Sequence, residues 1–128
     1  MAHFLLSAET TFSAAHTLPG VPQCDRMHGH NWRVRVTVRV DATALDRHGM
    51  GVDFRVIERA TRDAVAEFDH AYLNECAPFH ERPPTAERMA VVVAQRVRDR
   101  LAREAAAARI AQVDVWELPQ YRVSYRPD

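Results

Sequence analysis

At 128 residues the chain has the length of a single domain, which at this size buries roughly two thirds of the surface its unfolded form exposes and needs no disulfides to hold a core. Seventeen basic residues, all of them arginine, balance seventeen acidic ones, so no global charge calls for nucleic acid or an anionic membrane as partner. The N-terminus carries no signal-peptide pattern and no apolar run approaches a membrane span, which makes the cytoplasm the expected location.

In chain order, the first predicted element is a strand, "FLLSAETTFSAAH", over residues 4–16. Its partner, "NWRVRVTVRV", alternates strictly, with Val34, Val36, Val38 and Val40 on one face and Arg33, Arg35, Thr37 and Arg39 on the other. That period of two describes a half-buried antiparallel strand. Residues 54–68 place Phe54, Ile57, Ala64, Val65 and Phe68 at helical spacing. A second helix starts near Thr85, after a double proline, and repeats apolar residues at Ala86, Ala90, Val93, Val97 and Leu101. "QVDVWEL" and "QYRVSYR" form a closing hairpin that turns around Pro119. With no repeat or linker, residues 1–128 read as one α+β domain, ββααββ, a four-stranded antiparallel sheet with both helices on one face. Its two open edges invite pairing with another subunit.

The chemistry-bearing stretch is "QCDRMHGHNW". Residues two apart in a strand share a side, so His28 and His30 can aim both imidazoles at one point. His16, at the end of the first strand, supplies a third nitrogen if the two strands pair. Three histidines make a zinc set with a fourth position open to water or substrate. A closed site with Cys24 as fourth ligand satisfies the same spacing, and ordinary loop histidines are the bland alternative. Cys24 lies in a loop where a thiol stays accessible, although Asp25 and Arg26 leave the local sign of charge ambiguous. Cys76 has no histidine nearby and reads as a separate thiol, structural or incidental. Asp69 and His70 stand at the end of the first helix and point apart if the helix persists; they cooperate in proton transfer only if the backbone turns there or both meet a third group. Glu117 is either a solvent-facing strand residue or a buried carboxylate in need of paired N–H donors. His3, His48 and His80 read as solvated surface.

"FSAAH", "C-x-x-x-HGH", "GVDF", "FDHAYLN", "PPTAER" and "VWE" occur in the order and approximate spacing of the 6-pyruvoyl-tetrahydropterin synthase family, which the chain resembles over nearly its whole length. The three-residue gap between Cys24 and His28 looks most like the bacterial 6-carboxy-tetrahydropterin synthase branch of the queuosine (7-deazapurine) pathway. The resemblance implies the tunnelling fold (T-fold), whose trimers join their sheets into a β-barrel and commonly stack as hexamers. It implies that His16, His28 and His30 bind zinc, that Cys24 is the proton-transferring thiol, that Asp69 and His70 of a neighbouring subunit complete the catalytic group, and that Glu117 anchors the pterin. The implied substrate is 7,8-dihydroneopterin triphosphate. The 6-carboxy product is expected, with 6-pyruvoyl-tetrahydropterin or a non-catalytic zinc- and pterin-binding role as alternatives. The chain departs from the family pattern at Trp32, where Tyr or Phe is usual, at Pro83, where Asn is usual, and in having no lysine to meet a triphosphate.

Overall fold

The computed structural model describes residues 1–128. Two long strands, β1 (His3–His16) and β2 (His28–Asp41), pair antiparallel along their whole length, with Phe12 opposite Trp32 and His16 opposite His28. Helix α1 (Phe54–Val65) follows, then the two-residue strand β3 (Ala71–Tyr72), helix α2 (Ala86–Glu104), β4 (Arg109–Leu118) and β5 (Tyr121–Tyr125). The sheet order is β3-β1-β2-β4-β5, antiparallel except where β3 runs parallel to Ala14 and Ala15 of β1. The expected ββααββ order holds, with β3 as a short fifth strand. At the far edge the β4–β5 hairpin closes through Pro119 and Gln120, since Leu118 pairs with Tyr121.

The alternation in β2 is real: Val34, Val36, Val38 and Val40 have no exposed surface, each contributing about 1.5–2 kcal/mol of apolar burial. Both helices cover that face. Helix α1 packs over β1 and α2 over β4, presenting Ile57, Ala60, Ala64 and Val65 from α1 and Met89, Ala90, Val93, Val97 and Leu101 from α2. Each helix starts on a side-chain cap, Asp53 accepting from the Arg55 amide at 2.8 Å and Thr85 from the Arg88 amide at 3.2 Å. Gly51 lets the preceding loop lie against β2, where a Cβ would come within 2.9 Å of Val40 Cγ1.

Two details of the first helix differ from expectation. Phe54 is 62% exposed rather than part of the buried stripe, because it begins the first turn beyond the edge of the core. The helix also stops at Val65 and tightens into a 3₁₀ turn over Ala66–Phe68, which still buries Phe68 completely. The chain then reverses at His70, a non-glycine residue at φ 59°, whose amide donates to the Ser13 carbonyl at 2.6 Å. That reversal creates β3.

Candidate metal centre

His16, His28 and His30 converge at one end of the sheet, on the helix-covered face. One nitrogen from each lies within 4.8 Å of the others, and the ring centroids stand 4.6, 5.1 and 4.9 Å apart. The register explains this: His16 and His28 are direct cross-strand partners, and His30 follows on the same side of β2.

Hydrogen bonds settle which nitrogens are free. His16 Nδ1 lies 2.9 Å from the Pro84 carbonyl oxygen and His28 Nδ1 lies 2.7 Å from that of Arg26. A carbonyl oxygen only accepts, so both Nδ1 atoms carry the proton and both Nε2 lone pairs are left available. The Nε2 atoms of His16 and His30 are buried without any hydrogen-bond partner. An orphaned buried polar atom costs about 1–3 kcal/mol, and two of them facing the same point fit a metal ion that takes both lone pairs. Carbonyl-anchored imidazoles are the usual support for metal-ligating histidines.

Burial also selects the neutral rings that a metal requires. Burial first, and the neighbouring imidazoles second, hold His16 below the ordinary imidazole range and bring His30 down to about 4. The Glu117 carboxylate stands 3.8 Å from His30 Nε2, too far for a hydrogen bond. With His30 neutral this contact is not an ion pair. Burial holds the Glu117 acid above the usual carboxylate range, which marks a carboxyl short of donors. Glu117 also lines a cleft of about 370 Å³ with Leu18, Thr85, Tyr121 and Arg122.

Cys24 is half-buried in the loop between the ligand strands and lies outside the converging histidine set. Its backbone is pinned near the start of that loop: the Leu18 amide donates to the Cys24 carbonyl at 2.8 Å, and the Cys24 amide donates to Val21 at 3.1 Å. Cys76, also a free thiol, points at the Tyr72 carbonyl from the core margin, and burial pushes its thiol up. His3, His48 and His80 are exposed.

Asp69 and His70 do not join the three histidines. They clamp the outer edge of β1, where Asp69 Oδ1 accepts from the Ser13 amide at 3.0 Å and stands 3.1 Å from His70 Nδ1. The Ser13 amide, followed by the charge of His70, holds the Asp69 carboxyl below its usual range. The backbone turn therefore lets adjacent residues meet, and the His70 side chain is 83% exposed. His70, but not Asp69, lines an open hollow of about 530 Å³ together with Ser13, Gly29, Asn31 and Tyr72. Sequence reasoning missed the Pro84 and Arg26 carbonyls that orient His16 and His28. The Pro84 contact spans 68 positions, and no local pattern announces it.

Fold and site together define an α+β protein whose helix-covered sheet carries a three-imidazole centre suited to a metal ion. The family model described as 6-pyruvoyl tetrahydropterin synthase matches residues 5–128, and the chain belongs to that family. It is 32% identical over 130 residues to the 6-carboxy-5,6,7,8-tetrahydropterin synthase of Bacillus subtilis, covering 97% of this chain and 86% of the relative. It is 39% identical over 71 residues to a putative 6-carboxy-5,6,7,8-tetrahydropterin synthase of Archaeoglobus fulgidus, covering 56% of this chain and 59% of that protein's length. Among solved structures, the Caenorhabditis elegans 6-pyruvoyl tetrahydropterin synthase superposes with a TM-score of 0.80 at 22% identity, covering 100% of this chain and 98% of the other. The fold is thus the T-fold of these synthases.

Proposed function

We propose that this protein is a zinc-dependent 6-carboxy-5,6,7,8-tetrahydropterin synthase, a carbon–carbon lyase that takes 7,8-dihydroneopterin triphosphate and water to 6-carboxytetrahydropterin, acetaldehyde and triphosphate in 7-deazapurine (queuosine) biosynthesis. The observation that carries this reading is the convergence of three imidazole nitrogens beside the underpaired Glu117 carboxyl. The near full-length similarity to the Bacillus subtilis synthase supports the choice of product. Zinc held by His16, His28 and His30 supplies a Lewis acid and a template for the substrate side chain.

The remaining work falls to the protein's own groups. Glu117 accepts the two parallel N–H groups of the pterin 2-amino and N3 edge, and these donors return its raised acid to the carboxylate form. Cys24 takes a proton from the first side-chain carbon. Asp69 orients His70 for the partner acid–base role, serving the metal site of a neighbouring copy. Association of copies into trimers or hexamers is supported by the free edges of the sheet, β1 over residues 3–13 and β5.

The test is incubation of zinc-loaded protein with dihydroneopterin triphosphate and identification of products by mass. Acetaldehyde released in step with triphosphate is expected. Triphosphate without acetaldehyde assigns the 6-pyruvoyl product instead, and pterin binding without turnover assigns a non-catalytic role.

A further inference from the structure

We infer that Trp32 is a positioning residue for the metal centre: its indole holds the rings of His16 and His30 in the orientations that bring their free Nε2 atoms to one point. The inference rests on the reading that these imidazoles hold a metal ion. Trp32 has no exposed surface. Its ring centroid lies 5.1 Å from that of His16 and 5.7 Å from that of His30, at interplanar angles of 78° and 85°. These are edge-to-face contacts, the arrangement that ring quadrupoles favour, and both imidazoles abut the same indole.

The indole is itself immobilised. Phe12 stacks on it at 5.9 Å and 6°, and its Nε1–H donates to the Ala14 carbonyl at 3.3 Å. Ala14 is the cross-strand partner of His30 and stands two residues before His16, so this bond ties the indole to the backbone between the two ligands. The hydrogen bonds are unevenly shared. Carbonyls orient His16 and His28, but His30 Nε2 has no partner and no hydrogen bond fixes its ring. Packing is what is left to set the His30 orientation, and of the three rings in edge-to-face contact with it, His16, His28 and Trp32, only the indole is not itself one of the converging imidazoles.

The experiment measures zinc affinity by competition with a chromophoric chelator and the visible d–d spectrum after Co(II) substitution. Native protein is compared with Trp32→Leu, Trp32→Phe and a packing control, Leu101→Ala. Leu101 is equally buried, at 1% exposure, and lines the opposite end of the core beside Ile110. Trp32→Leu is expected to weaken zinc binding by about tenfold to a hundredfold, the range for groups that orient metal ligands, and to alter the Co(II) bands. Trp32→Phe keeps an aromatic edge against both rings and restores most of the affinity. Leu101→Ala lowers Tm and leaves both metal readouts alone. Native-like zinc affinity and Co(II) spectrum in folded Trp32→Leu overturn the positioning role and reduce Trp32 to core packing. Native protein that takes up no zinc overturns the metal reading itself, a result visible before any variant is made. Should Trp32→Leu not fold, protein labelled with 5-fluorotryptophan decides the matter. Its Trp32 resonance, assigned with Trp116→Phe, shifts in proportion to zinc up to one equivalent, and an unmoved resonance overturns the role.

Discussion

His28 and Cys24 separate the open site from the closed one. His28→Ala removes one of three nitrogens from a half-buried position at the end of a strand, so the variant is expected to stay folded and to lose stoichiometric zinc by metal analysis. Cys24→Ala is expected to keep fold and zinc while turnover falls by about a hundredfold or more, as for a lost proton-transfer group. A four-ligand structural site predicts the reverse for Cys24, with metal and stability lost together. Glu117→Ala, judged by pterin affinity at constant metal content, is expected to weaken binding by roughly tenfold to a hundredfold, the worth of a charged hydrogen-bonding partner; unchanged affinity removes the anchoring role. Of these residues, His28 and His30 were legible as a pair because strand periodicity is local. His16 became a ligand candidate once the first two strands were taken to pair. The cleft around Glu117 draws Leu18, Thr85 and Tyr121 from three other segments, which no local pattern brings together.

At the level of elements, the start of α2 is coupled to the metal centre. Thr85 caps the helix, and the neighbouring Pro84 carbonyl holds His16 Nδ1. Thr85→Ala is expected to cost about 1 kcal/mol of stability, a drop in Tm of about 4 °C for a domain of this size, measured by thermal melts. It is also expected to weaken zinc binding through a looser His16, which an exposed cap elsewhere does not do; the matching control removes the Asp53 cap of α1. The end of α1 shows where periodicity stops being informative. The apolar stripe runs on to Phe68, and Phe68 is indeed buried, but a 3₁₀ turn reaches the same burial with a different backbone path. That change, and the positive φ at His70, is what brings Asp69 and His70 into contact. Neither follows from hydrophobic spacing, because each is decided by hydrogen bonds to Ser13 on another strand.

For the molecule as a whole, the buried imidazoles link stability to pH. In metal-free protein His16 and His30 are held neutral, His30 down to about 4, whereas an unfolded imidazole titrates near 6.5. Between those values the unfolded chain binds protons that the folded one refuses. Stability is therefore complete above about pH 6.5 and falls as pH drops toward 4, by up to about 1.4 kcal/mol per pH unit for each such group. Glu117 acts in the opposite sense, since its raised acid lets the folded state take up a proton first on acidification. It is one group against two histidines, so the imidazoles set the sign of the net dependence. Urea midpoints of chelator-treated protein are expected to fall from pH 7.5 to pH 5, and a flat profile removes the linkage.

The sequence by itself determined the layered α+β plan, the order of its principal elements, the buried face of β2 and the pairing of His28 with His30. Each of these rests on periodicity within a segment or on motifs that keep their order along the chain. Tertiary structure alone decided the fifth strand, the dyad of Asp69 with His70, the carbonyls that free two Nε2 atoms, and the indole against which His16 and His30 pack. The fifth strand, the Pro84 carbonyl and the indole against His16 join distant segments, and the contact of Asp69 with His70 depends on hydrogen bonds to Ser13; they exist because burying one apolar face brings the strand ends and helix termini to the same place.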